Sequence, residues 1–171
     1  MLYLQKAPLR LLLIPLIIGL SACTPSHPPS GNSPKERIQH IEITTTGADH
    51  YFYKDTIRVE AGIPVNIKLI NPEKLPIMRH NLVIADPDSA NRIAQRGLTL
   101  GPDFDFVPPH YQSVKAHTPV AGPRDTVALQ TTFDHPDTLA YFCTYPGHFS
   151  DAHGVFIIHA QQPDSSNSKP N

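Results

Sequence analysis

The sequence predicts an all-β protein, a Greek-key β-sandwich or barrel with one short helical insertion. Apolar and polar residues alternate with a period of two in several short segments, as expected for half-buried strands. Pro, Gly, Asp or Asn bound these segments, and Pro alone contributes 19 of the 171 residues. A set of short strands within about 120 residues is typical of two antiparallel sheets that pack together.

The alternation is strictest in the third strand. Val65, Ile67 and Leu69 alternate there with Asn66 and Lys68, so one face of this strand is expected to turn to the core and the other to solvent. The predicted strands are 41–44, 57–60, 65–69, 81–84, 126–130, 139–143 and 155–159.

One segment breaks the period of two. Residues 88–96 (DSANRIAQR) favour a short helix, in which Asp88 or Ser89 caps the start and Gly97 ends the last turn. The chain shows no internal repeat.

The N-terminus has the features of a lipoprotein signal peptide. Lys6 and Arg10 flank a short apolar run, 11–20, which is too short for a membrane span of about 20 residues. The sequence LSAC at 20–23 resembles a bacterial lipobox, in which Cys23 is lipidated and becomes the new N-terminus. An ordinary cleavage site with an incidental Cys23 is the alternative.

Four segments follow from this organisation. The signal peptide is 1–22, the lipidated Cys and a Pro- and Ser-rich disordered tether are 23–36, the domain is 37–160, and a disordered tail is 161–171. The formal charge of −1 becomes −3 when the two basic residues of the signal peptide are removed. So small a charge does not favour nucleic-acid binding.

Cysteine usage points to a special role for one thiol. The chain has two Cys, and lipidation of Cys23 leaves Cys143 alone, so no disulfide can form within the mature chain. A single thiol in an oxidising compartment is usually occupied by a metal or by catalytic chemistry.

The segment YFCTYPGHFSDAHG at 141–154 carries the most information. Cys143 ends a strand and a Pro-Gly turn precedes His148, so thiolate and imidazole can converge on one ion. A second imidazole is expected from His80, just before the strand at 81–84. One soft thiolate with two imidazoles and a weak fourth ligand selects copper and gives a trigonal electron-transfer site.

Three alternatives compete for Cys143. The first is a buried structural thiol, which is a common role of a single Cys. The second is the nucleophile of a Cys-His enzyme, although the sequence shows no recognisable oxyanion hole or orienting Asn. A structural zinc site is the third, although such sites prefer more than one thiolate.

These motifs resemble the cupredoxins, and within them the azurin and auracyanin branch. The similar stretches are Ile41-Glu-Ile-Thr, Leu75-Pro76 with Met78-Arg79-His80-Asn81, Ala116-His117-Thr118 and Cys143-Thr-Tyr-Pro-Gly-His148. The resemblance implies a cupredoxin-like sandwich with one copper ion that cycles between Cu(I) and Cu(II), in an electron-transfer protein that is not an enzyme. It also implies that Asn81 and Thr144 lock the ligand loops together. A copper-trafficking or copper-buffering lipoprotein on the same fold is the alternative.

The chain departs from its relatives at His153. Auracyanin-type spacing, Cys-x4-His-x4-Met, puts His153 where a Met serves as the weak axial ligand, and the only Met residues here are Met1 and Met78. We therefore expect the metal ligands His80, Cys143, His148 and His153, with His153 pointing to solvent as the alternative.

The resemblance also predicts a docking surface, and the N-terminal segment predicts a location. A redox protein partner is expected to dock near His148, where Met78, Tyr145, Pro146 and Phe149 form an apolar rim. We expect a monomer on the periplasmic side of a bacterial cell envelope, anchored to the membrane through lipid on Cys23. Thr24 after the lipidated Cys favours the outer membrane.

Overall fold

The part of the chain that the structure describes contains eight strands, one α-helix and two short 3-10 helices, Pro87–Ser89 and Pro102–Phe104. The structure is a computed structural model and describes residues 37–46, 52 and 55–161, which fall within one compact unit, Glu36–Asn171. The predictions for the signal peptide, the tether and nearly all of the tail lie outside these residues. The elements are β1 (Gln39–Thr44), β2 (Thr56–Glu60), β3 (Val65–Asn71), β4 (Val83–Ala85), α1 (Ala90–Leu100), β5 (Val114–His117), β6 (Asp125–Thr131), β7 (Asp137–Phe142) and β8 (His153–His159).

The strands form two sheets, as the all-β prediction requires. One sheet has the order β1-β3-β6 and the other β2-β8-β7-β4-β5. The β1–β3 and β2–β8 pairs are parallel and the remaining pairs are antiparallel. Ile43, Ile67 and Leu69 of the first sheet and Tyr141 and Phe156 of the second are fully buried in one hydrophobic cluster. The sheets therefore pack face to face, which confirms the predicted sandwich.

Side chains of β7 pack into two hydrophobic clusters because they alternate between the two faces of the sheet. Leu139 and Tyr141 enter the cluster between the sheets, and Cys143, directly after the strand, belongs to the same cluster. Phe142 enters a second cluster with Ile93 of the helix. The strand thus directs the thiol inward, toward the space between the sheets.

The insertion between β4 and β5 holds the helix, which is longer than predicted. Helix α1 continues past Gly97 and stops at Gly101, whose φ is 77°. A Cβ at Gly97 would lie 1.7 Å from the carbonyl oxygen of Phe106. Gly97 is therefore needed for close packing rather than for ending the helix, and Gly101 provides the left-handed residue that ends it. In the described ranges, no helix is long and apolar enough to span a bilayer.

Strand β5 was not predicted. Its sequence VKAH alternates apolar and polar residues, but over only four residues, none of which is fully buried, so the periodic signal is short and weak. It adds to the edge of the second sheet by pairing with β4.

Candidate metal centre

Three side chains from two distant parts of the chain meet at one end of the sandwich. His80 lies before β4, Cys143 follows β7 and His148 follows the turn after Cys143. One ligand atom from each lies within 4.8 Å of the others. The two Nδ1 atoms are 3.3 Å apart, and Cys143 Sγ is 3.9 Å from Nδ1 of His148. Within the described ranges these residues form the one group of His, Cys, Asp and Glu side chains close enough to hold a metal ion.

The turn between Cys143 and His148 is shaped by its backbone. Gly147 has a φ of 87°, a conformation that Gly adopts at little cost. The N–H of His148 donates to the carbonyl of Tyr145 at 3.1 Å, and the N–H of Ala152 donates to the carbonyl of His148 at 2.9 Å. These bonds fold the segment back, so that His148 returns to the thiol five residues earlier.

The backbone of His80 is fixed by a short bridge to the loop before β6. The N–H of His80 donates to the carbonyl of Ala121 at 3.1 Å, and the N–H of Ala121 donates back at 2.7 Å. Backbone hydrogen bonds to Ala121 therefore fix the position of His80. No side-chain motif in the sequence predicts this pairing.

Asn81 and Thr144 join the two ligand segments, as the family resemblance implied. Asn81 Nδ2 donates to Thr144 Oγ1 at 2.7 Å, and the Thr144 N–H donates to Asn81 Oδ1 at 2.8 Å. Both residues are buried. Such bonds around metal ligands keep their orientation fixed.

The centre is shielded from water, and its pKa values reflect this. Burial lowers the pKa of His80 to about 4, and the neighbouring His148 adds to the effect. Burial also lowers the pKa of His148, while Asp151 opposes that shift. The pKa of the Cys143 thiol is raised to about 12 by burial, opposed by hydrogen bonds from the backbone N–H groups of Asn81 and Tyr145. At neutral pH both imidazoles are thus neutral and available as metal ligands.

This donor set fits copper. One thiolate and two neutral imidazoles at nearly the same point form the soft, trigonal set that copper electron-transfer sites use. A structural zinc site would be expected to have four protein ligands, and the described cluster has three.

His153, predicted as the fourth ligand, lies outside the cluster of the other three. It pairs with Phe142 across β7 and β8, and residues directly opposite share a face of the sheet. Phe142 points away from the cluster that holds Cys143, so His153 does as well, and its side chain is exposed. The inward position belongs to Ala152, which is fully buried and whose carbonyl accepts the Cys143 N–H at 2.9 Å.

Of the predicted apolar rim, Tyr145 lies beside the ring of His148. His148 itself is 7% exposed, and the ring of Tyr145 lies 5.1 Å from the His148 ring. Met78 and Phe149 are half-buried and Pro146 is exposed. A cleft of about 170 Å³ separates this loop from α1 and is lined by Tyr145, Pro146, Phe149 and Leu98, among others. Leu98 was not among the rim residues expected from the sequence.

Comparisons with known proteins point to one family. No protein-family model matches the chain. Auracyanin-A of Chloroflexus aurantiacus is 31% identical over 121 residues, which cover 69% of this chain and 73% of that protein. An azurin of Pseudomonas putida is 36% identical over 123 residues, which cover 69% of this chain and 96% of the azurin.

Solved structures agree in fold. The structure of auracyanin A, described as a "blue" copper protein from the green thermophilic photosynthetic bacterium Chloroflexus aurantiacus, has a TM-score of 0.67 and 29% identity. The match covers 72% of this chain and all of that one. A dithionite-reduced auracyanin from Roseiflexus castenholzii has a TM-score of 0.63 and 26% identity, and the match covers 70% of this chain and 96% of that one.

Proposed function

This chain belongs to the azurin and auracyanin family of cupredoxins, and we propose that it holds one copper ion at His80, Cys143 and His148 as a type 1 electron-transfer protein. The observation that carries this proposal is the convergence of one thiol and two imidazoles within 4.8 Å in a buried place. When bound, copper gains and loses one electron between Cu(I) and Cu(II). No substrate is turned over, so the protein is not an enzyme.

The protein supplies the thiolate and holds the ligands in a rigid arrangement. Cys143 supplies its thiolate and releases its proton when the metal binds. Asn81 and Thr144 hold the two ligand loops in one arrangement, so the ligands need to move little when the charge of the metal changes. A small rearrangement favours fast electron transfer.

Electrons leave and enter at His148. Its ring edge is the part of the centre nearest to solvent, since His80 and Cys143 are fully buried. A redox partner docks against the surrounding rim of Met78 and the loop at 145–149, an apolar surface suited to brief contact.

We place the protein outside the cytoplasm, tethered to a bacterial membrane. The lipobox at 20–23 supports lipidation of Cys23, and the Pro-rich segment to residue 36 supports a spacer between lipid and domain. The residue after Cys23 is Thr24, which favours the outer membrane of a bacterial envelope.

Copper loading tests the central claim. The copper-loaded full chain is expected to show an intense visible charge-transfer band and a paramagnetic-resonance signal typical of a thiolate-bound Cu(II). The Cys143→Ser variant should lose the band, because a hydroxyl cannot replace the soft thiolate. Retention of the band in Cys143→Ser would exclude Cys143 as the ligand and with it the proposed function.

A further inference from the structure

The segment after the helix turns sharply beside Asn81, the residue that follows the ligand His80. Asp105 and Phe106 both have left-handed backbone, with φ of 51° and 57°. Asp tolerates this conformation better than most residues, whereas Phe adopts it rarely. Two such residues in succession persist only where surrounding contacts determine the backbone.

Three contacts hold this turn. Asp105 Oδ1 accepts the N–H of Val120 at 2.9 Å. The carbonyl of Phe106 packs against Gly97, where a Cβ has no room. The ring of Phe106 meets that of Tyr145 edge to face, with centroids 5.2 Å apart. The turn is thereby attached to the loop before β6, to α1 and to the loop that carries His148.

The turn presents one carbonyl to the centre. Asn81 Nδ2 donates to the Asp105 carbonyl at 2.6 Å and to Thr144 Oγ1 at 2.7 Å. A side-chain amide has two N–H donors, and these two acceptors use both. Without the Asp105 carbonyl, a buried donor of Asn81 would lose its partner, which is costly inside a protein.

We propose that Asp105 is a positioning residue of the copper centre: its carboxylate fixes the left-handed turn, and the carbonyl of that turn orients Asn81. The inference rests on the proposed function. The backbone N–H of Asn81 donates to the Cys143 sulfur, so a displaced Asn81 changes the electron density on the thiolate. A weaker N–H to sulfur bond leaves more negative charge on sulfur, which favours Cu(II) and lowers the reduction potential.

Three substitutions in the full chain separate the carboxylate from the backbone conformation. Asp105→Ala removes the acceptor for Val120 and puts a less tolerant residue in left-handed backbone. Asp105→Gly removes the acceptor but relieves the backbone. Asp105→Asn keeps an oxygen acceptor and tolerates the conformation. Asp103→Ala, at an exposed position two residues earlier, is the matched control.

The readouts are copper affinity, reduction potential and, in the metal-free protein, hydrogen exchange of the Asn81 side-chain amide measured by nuclear magnetic resonance. Asp105→Ala and Asp105→Gly should weaken copper binding by about 10-fold or more, lower the potential and speed exchange of the Asn81 amide. Asp105→Asn and Asp103→Ala should match the wild type.

Two results would overturn the inference. One is an Asp105→Gly protein with wild-type copper affinity, potential and amide exchange. The other is an Asp105→Ala protein that is merely less stable, with an unchanged potential and spectrum. A wild-type protein without a thiolate charge-transfer band would instead refute the proposed function, while the Asn81 amide would still show whether Asp105 holds it.

Discussion

At the scale of single residues, the centre depends on which side chain faces inward after His148. The spacing of residues pointed to His153, but pairing of β7 with β8 places His153 opposite Phe142 and leaves Ala152 on the same face as Cys143. Because side chains alternate along a strand, a shift of one residue reverses the face. The side chain that faces inward just after the His148 loop is therefore the methyl group of Ala152 rather than the imidazole of His153.

Substitutions at Ala152 and His153 test which of these two positions faces the metal. Ala152→Met should place a flexible thioether on the inner face, and an added axial donor should stabilise Cu(II), alter the visible spectrum and lower the potential. His153→Met and His153→Ala should leave both the spectrum and the potential unchanged. If the His153 variants shift the reduction potential and Ala152→Met does not, His153 is a copper ligand after all and this prediction is wrong.

The buried titratable groups make the metal-free protein sensitive to pH in both directions. The pKa of His80 is about 4 in the folded protein, against 6.5 for an ordinary His, so the unfolded chain binds more protons between these values and stability falls as the pH drops from about 6.5 to about 4. The Cys143 thiol has a folded pKa of about 12 against 9.0. Between these two pH values the folded chain keeps a proton on the thiol that the unfolded chain has lost. The stability of the folded protein therefore falls as the pH rises above about 9.

Denaturant unfolding of the metal-free protein across this range provides the measurement. Stability should be greatest between about pH 7 and pH 9. In Cys143→Ser the alkaline loss should be smaller, whereas the acid loss should persist because His80 remains. An alkaline loss of unchanged size in Cys143→Ser would show that another group titrates.

At the scale of elements, one close approach inside the insertion holds α1 against the turn at Phe106. Gly97→Ala would gain about 1 kcal/mol of helix propensity, but its Cβ would meet the Phe106 carbonyl at 1.7 Å. The backbones must then move apart, and such overpacking costs about 1–3 kcal/mol. We expect a net loss of stability in denaturant unfolding, with Gln95→Ala on an exposed site of the same helix as the control. A Gly97→Ala protein more stable than the wild type would contradict this close packing.

The elements also show how far sequence reasoning reaches. Strands β1, β2, β3 and β8 could be predicted, because each buries one face and so alternates clearly. Strand β5 could not, since four residues at the edge of a sheet, none of them fully buried, give too short an alternation to stand out. The ligands His80, Cys143 and His148 stood out by residue type and spacing, whereas Ala121 and Ala152 contact the ligands through backbone groups, which residue type does not reveal.

At the scale of the whole molecule, the proposed tether decides where the domain works. Cys23→Ser removes the acceptor for lipid, so the protein should shift from the membrane fraction to the soluble fraction or accumulate unprocessed. Cys143→Ser, which changes the only other Cys, should leave the distribution unchanged. Fractionation and the mass of the native N-terminal peptide measure both. An unmodified thiol at Cys23 in a soluble wild-type protein would contradict lipid anchoring.

The pairing of His80 with His148 brings together residues 68 positions apart in the chain. Closing this loop costs entropy before its contacts form, and contacts of this range form slowly compared with local turns. A nascent chain that has made the turn at 143–148 but has not docked β4 offers only two of the three metal donors. We therefore expect tight copper binding only late in folding. Copper in the surroundings then stabilises the native state only after the two distant segments have met.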